Sequence, residues 1–592
     1  MALTEFEKQL LNEVNVENEW RLLERFSKLV RVSGTTDEYA AAEYIINSLR
    51  LHGISVSVYE PELYISIPKK AEFEIREPIR YRPSHEDIAM NPKTSSFSRS
   101  GSYEGEIEFI PGKKGPSPLS GFFEFQLENG RDVRGKAVAT EGIVFPAVAH
   151  AAQSRGALAV VGISPGKWTH EGIITPVWGT PTLENKHMIP DIIAVSISKV
   201  DGELLRQHLQ KGPVRVKVSA EVDTRWRKCI IPVAEIFPPG KKDAEYVLLH
   251  GHYDSWHVGI GDNAVGNATL LEVARVLHKN RDKLKRGVKI AWWPGHSTGR
   301  YAGSTWFCDT FALELDERCI AQINCDSPGC RDATAYDEVM WMDEMEQFGK
   351  EIIKDVTGKD SKGIRPLRAG DYSFHGIGIS SLFMLLSNMP ESLRKERGLY
   401  PVGGCGGNVE WHTEHDEMHI ADKTILETDT KIYLLSVYRL ATAKLYPLDF
   451  RKTVDKSIEI IADYGKAAGT HFDLTPVIDD LKALRQKLED VYNLVSRDTS
   501  EVTAERFNRM LLKLSRIIIP INYTKSGRFA HDPALEVPAF PDLAPTRELK
   551  QFSVNSDEYR FLLNQLVRGR NKVRATIRSA IEVVEDFKQR FS

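Results

Sequence analysis

The sequence predicts an α/β fold: a mostly parallel, mixed sheet flanked by helices, interrupted by a smaller inserted α/β unit and followed by long helices. Three observations predict it. Short apolar runs bounded by turn residues recur at 246–249, 288–293, 320–325 and 379–386, as expected of strands buried on both faces. Segments of helical period join them; Leu270, Val273, Ala274 and Leu277 mark one that begins near Asn263. Beyond Pro447 the pattern changes to long amphipathic helices. Strands joined by helices pair in parallel.

A chain of 592 residues exceeds one hydrophobic core. Residues 1–95 read as the first part of the larger α/β unit. Thr35 and Thr36 open a helix that Gly53 stops, and 54–58 and 64–67 alternate as strands. The Ser-, Pro- and Gly-rich stretch 80–110 marks a boundary. Residues 96–225 form the insert, with strands at 135–140, 157–163, 189–195 and 214–222 and helices at 147–154 and 201–209. Residues 226–446 resume the larger unit. Residues 447–592 hold helices at 454–468, 474–495, 504–519 and 558–591, with 529–543 as an extended crossing loop. Leu481, Leu484, Leu488 and Val491 form a stripe suited to packing or dimerisation.

Net charge is -4, which gives no general attraction to nucleic acid. No run of about 18 apolar residues is present for a membrane span. The N-terminus lacks a basic segment followed by an apolar one, so a cytoplasmic protein is expected. Six scattered cysteines without CxxC spacing fit free thiols.

Chemistry-bearing residues gather where strands end. His252, Asp254 and Asp262 follow the first core strand, Asp326 follows another, and His412 sits in a late loop of the same unit. Loops at the carboxyl ends of parallel strands are where ligands bind. Two imidazoles with two or three carboxylates suit a divalent ion or a bridged pair. Asp254 is placed to orient the His252 ring. Arg300, Arg365 and Arg368 are candidates for gripping an anionic substrate group.

The motifs HxD (His252, Asp254), GxGDNAxG (Asp262), INxDS (Asp326) and HTxxD (His412, Asp416) resemble those of the zinc aminopeptidase superfamily. The order of units is similar to its branch containing glutamate carboxypeptidase and the transferrin receptor. That resemblance implies a protease-associated insert, a helical dimerisation domain and hence a homodimer. It implies that His252 and Asp326 serve one metal, that Asp262 bridges, and that His412 serves a second. Zinc is the implied ion, one or two per chain, with manganese or iron as alternatives. Asp371 and Ser373 fall in the implied substrate loop.

One departure matters. Where the superfamily has a Glu-Glu pair, base and ligand, this chain has His296-Ser297, and no carboxylate lies from residue 291 to 307. His296 then acts as general acid or base, or ligates metal, or peptidase chemistry is lost. The resulting expectation is a metal-dependent hydrolase using metal-activated water. Its target is an amide-type C–N bond in a peptide-like substrate, a specialised small amide or a cyclic amide. A transferrin-receptor-like interaction protein and a lyase are the alternatives.

Overall fold

Tyr246–His252 runs through the middle of a six-stranded sheet and is buried at every position. The computed structural model describes residues 3–114, 125–128, 131–498 and 500–590. Strand order is Ser55–Tyr59, Ile231–Ile236, Gly287–Trp293, Tyr246–His252, Cys319–Asn324, Ser381–Leu382. The last four are parallel, and the first two add an antiparallel edge. Alternation along the central strand divides its side chains between two cores. Val247 and Leu249 join the core that includes helix Val265–Lys279. Tyr246 and Leu248 face the other way, with Trp293 and Phe307. Register pairs His252 with Trp293 and His250 with Asn324. Three strands therefore end at one level, and their loops open on the same side.

The sequence predicts a strand over 379–386, but only Ser381–Leu382 pairs with the sheet. Phe383 has φ 54°, which turns the chain out of line. Leu385 then meets Asp326 in an isolated bridge.

A second sheet takes the order Glu62–Glu77, Val214–Lys228, Gly101–Phe109, Ala137–Glu141, Ala159–Ile163, Ile193–Ile197, Lys93–Thr94. Here the structure corrects the expected boundary. Residues 62–77, read from sequence as part of the first segment, pair along their length with Val214–Lys228. The strand entering this unit and the strand leaving it form one antiparallel ribbon, because each satisfies the other's backbone groups across the junction.

Four helices, Phe450–Ala468, Thr475–Arg497, Glu501–Tyr523 and Asp557–Gln589, make up most of the C-terminal region. The stripe Leu481, Leu484, Leu488 and Val491 is buried within the chain, in one core with Val573, Ile577 and Val584 of the last helix. Each fully buried side chain of this kind contributes about 1.5–3 kcal/mol. Arg516 ties this region to the sheet by donating to the carbonyls of Leu315, Asp316, Cys319 and Gly378.

Glu344 lies at the same junction. Thr453 donates to its Oε2 at 2.9 Å, while Oε1 and the nearby Ser380 hydroxyl have no partner. Burial pushes the Glu344 carboxyl up from 4.5 to about 7. The folded chain thus holds this proton more tightly than the unfolded chain does. Stability from the protonated form is present below the ordinary carboxyl range and is lost as pH rises toward 7. Glu344→Gln keeps an uncharged group there at all pH values. Chemical denaturation should show it about 1–3 kcal/mol more stable than wild type at pH 8, with the gain fading toward pH 4.5. A gain of equal size at both pH values would contradict this account.

Candidate metal centre

His252 ends the central strand, and His412 lies in a loop 160 residues later in the chain. The structure brings both onto Asp262. His252 Nε2 is 2.9 Å from Asp262 Oδ1, and His412 Nε2 is 3.0 Å from Asp262 Oδ2. On the far side of each ring, Nδ1 meets a backbone carbonyl, that of Asp254 at 2.9 Å and that of Glu171 at 3.1 Å. A carbonyl can only accept, so each Nδ1 carries a proton and each Nε2 is the ring atom turned toward the carboxylate.

Nitrogen–oxygen contacts this short place positive charge between imidazole and carboxylate, either a proton or a metal ion. His252 Nε2 is buried and makes no hydrogen bond of acceptable geometry, and Asp326 Oδ2 lies 3.6 Å away. Burial disfavours charge on His252, yet Asp326, Asp254 and Asp262 together hold its pKa well above the ordinary histidine value. Surroundings that favour a proton so strongly favour a divalent cation too. Donors about 2.0–2.1 Å from a tetrahedral zinc lie roughly 3.4 Å from one another, which these spacings approach. His252, His296 and Asp326 each offer a donor atom within 4.8 Å of the others. The residues present fit a divalent metal: His252 and Asp326 lie close enough to share an ion, with Asp262 and His296 beside them.

Three loops are bolted together to hold Asp262. Asp416 accepts the backbone N–H groups of Gly261 at 2.6 Å and Asp262 at 2.9 Å. Burial pushes the Asp416 carboxyl up to about 7, against the pull of those two bonds. Asn263 donates to the carbonyl of Cys325 and accepts the N–H of Ser327, linking the Asp262 and Asp326 loops. Gly259, at φ 57°, makes the turn in a conformation that suits glycine.

Asp254 does not act on His252 as expected. Its carboxylate lies 3.6 Å from Nδ1, and its backbone carbonyl takes that bond instead. The side chain accepts the N–H groups of His296 at 3.1 Å and Ser297 at 2.9 Å. Asp254 therefore positions the loop that carries His296.

His296 stacks on His252, centroids 3.8 Å apart and planes 14° apart. Its Nδ1 is 2.9 Å from Asp371 Oδ2, and Asp371 Oδ1 accepts from Ser304 at 2.7 Å. Asp371, a candidate substrate residue from sequence, is thus spent on orienting His296. Ser373 is likewise occupied, with Trp178 and Ser304 each at 2.9 Å, and does not line the cleft. Arg368 donates to the carbonyls of Asp532 and Pro533 and stacks over Trp178, which removes it from substrate contact. Arg300 does line the cleft, with His296, Ser297, Asp262, Asp326 and His412. The cleft is walled by Phe145, Ile173, Trp256, Tyr301, Met384 and Trp411.

Two residues of the second-sheet unit belong to the site without a sequence signal. The N–H of Glu171 donates to the His412 carbonyl at 2.9 Å, and its own carbonyl fixes the His412 ring. His170 contacts the Trp411 carbonyl and the Tyr400 hydroxyl, each at 2.6 Å.

Residues 233–436 match the model of Peptidase family M28. Aminopeptidase NAALADL1 of Mus musculus is 39% identical over 85 residues, 14% of this chain and 11% of that protein. The probable glutamate carboxypeptidase VP8 of Zea mays is 24% identical over 349 residues, 50% of this chain and 48% of that one. The matches thus span at most about half the length of these two relatives. The zinc aminopeptidase BSAP from Bacillus subtilis superposes with TM-score 0.52 at 18% identity, covering 73% of this chain and 96% of that one, a likeness of fold.

Elemental analysis of the purified chain is expected to find at least one tightly held divalent ion, lost in Asp262→Ala. Asp416→Ala, which touches no metal, should weaken metal affinity about 10–100-fold. Substoichiometric metal in the wild type, or full occupancy in Asp262→Ala, is the contrary result.

Proposed function

We propose that this chain, whose residues 233–436 match the model of Peptidase family M28, hydrolyses an amide-type C–N bond in a metal-dependent reaction, with His296 as its proton-handling group. The observation carrying this reading is Asp262 held between two imidazoles, each turning Nε2 to one of its oxygens. A divalent ion bound there supplies Lewis acidity toward water and the substrate carbonyl.

The chain's own groups supply the rest. Asp371 accepts the Nδ1 proton of His296, which leaves Nε2 unprotonated. Nε2 takes a proton from the attacking water and delivers it to the departing nitrogen, the role a glutamate plays in the superfamily. Asp254 holds the His296 backbone, so the ring is fixed at both ends. Trp256 and Trp411 narrow the cleft and exclude bulk water.

A second reading has a specific observation behind it. The closeness of His296 to His252 and Asp326 supports His296 as a metal ligand. The variant His296→Ala separates the two. As general base, its loss should lower kcat about 10²–10⁴-fold across a panel of peptide and small-molecule amides, with metal content unchanged. Loss of metal in the variant would favour the ligand role. Full turnover in His296→Ala, or a metal-replete wild type inert toward every amide, would sink the proposal.

A further inference from the structure

Arg300 is the only lysine or arginine lining the cleft among the described residues. Its side chain is buried, with the residue 4% exposed. A guanidinium keeps its charge at any working pH, so burying one without partners is costly. Two other buried arginines are held by carbonyls. Arg31 donates to the carbonyls of Tyr253, Val258 and Gly259, and Arg516 to four carbonyls.

Arg300 has neither carbonyls nor an acid. Its Nε and Nη2 meet no acceptor, and among the described residues no carboxylate forms an ion pair with it. The Tyr301 ring, 5.1 Å from the guanidinium carbon, is its neighbour. The backbone fixes the side chain's origin. Arg300 and Tyr301 have φ 51° and 67°, and the Arg300 carbonyl accepts the N–H of Gly179 at 2.7 Å. Consecutive left-handed residues that are not glycine are rarely kept without a use.

The two unpartnered atoms form one edge of the guanidinium. Nε–H and Nη2–H are parallel donors spaced to meet both oxygens of a carboxylate. Among the described residues no second lysine or arginine lines the cleft, which suits a single negative charge better than a phosphate. The remaining walls, Phe145, Trp256, Tyr301, Met384 and Trp411, are apolar or aromatic.

We propose that the substrate is an amide bearing one carboxylate and an apolar body of aromatic size, and that the Arg300 guanidinium, unpartnered by the protein and set in the cleft wall, holds that carboxylate. This specificity rests on the reading of the cleft as an amide hydrolase site.

Calorimetry on the full-length protein tests it. The probes are benzoate, phenylacetate, 3-phenylpropionate and N-benzoylglycine, each compared with its primary amide. Metal-loaded and chelator-stripped protein are both titrated, so that carboxylate coordination to metal is separated from binding to Arg300. At least one acid should bind about tenfold tighter than its amide to both forms. Arg300→Met should abolish that preference, and Arg300→Lys, which keeps charge without the fork, should retain only part of it. Circular dichroism checks that each variant folds, and the lysine variant keeps the test open should the methionine variant not fold. A wild type that prefers no acid overturns the proposal, as does acid preference surviving in stripped Arg300→Met. Acid binding without hydrolysis of any amide would instead defeat the hydrolase reading and leave the Arg300 assignment standing.

Discussion

Asp262 meets an imidazole nitrogen through each of its oxygens, and the other polar groups of the centre can be understood as holding that arrangement in place. Two like charges about 4 Å apart cost roughly 4 kcal/mol at an effective dielectric of 20. Asp254, Asp262, Asp326 and Asp416 are all buried around His252 and Asp262. Three of them are met by donors: Asp254 by two backbone N–H groups, Asp416 by two more, and Asp326 by the Ser327 hydroxyl at 3.0 Å. A buried carboxylate held by backbone donors cannot move away from its neighbours. The site therefore resists relaxing its own repulsion, and a cation is the remaining way to lower it.

Much of this was legible in the sequence because the ligands sit at strand ends. A strand shows as an apolar run, and the residues after it must lie at the sheet's edge. That logic located His252, Asp262, Asp326 and His412, which come from segments far apart in the chain. The parallel core of the sheet and the late helices were legible on the same grounds, since buried faces leave a periodic trace. The short last strand was not, because the turn at Phe383 depends on a backbone angle that its apolar neighbours do not advertise.

What remained illegible is what backbone atoms do. The carbonyls of Asp254 and Glu171 fix the two imidazoles, and any residue type can supply a carbonyl. Glu171 belongs to the second-sheet unit, 241 residues before His412, so no local pattern joins them. Charged side chains misled for a related reason. Asp254, Asp371 and Arg368 were candidates for direct roles, yet each spends its polar atoms on other protein groups. Residue type tells what a side chain can bind; only packing tells what it has already bound.

The loop after strand Gly287–Trp293 shows how a change of chemistry alters its surroundings. The superfamily resemblance implies two glutamates here, which would add negative charge to an already acidic centre. His296 and Ser297 add none. A neutral imidazole needs its proton fixed before it can serve as a base or a ligand, and Asp371 does that from behind, at 2.9 Å. The carboxylate has in effect moved one layer outward, while four residues along the same loop Arg300 brings a positive charge into the cleft wall. With glutamates at 296 and 297, Arg300 would have acids close by in its own loop to pair with. With His and Ser there, its donors stay open to whatever enters. The loss of the glutamate pair and the unsatisfied arginine are on this view one alteration: the loop has given up its own carboxylates and kept a group that recognises one on the substrate.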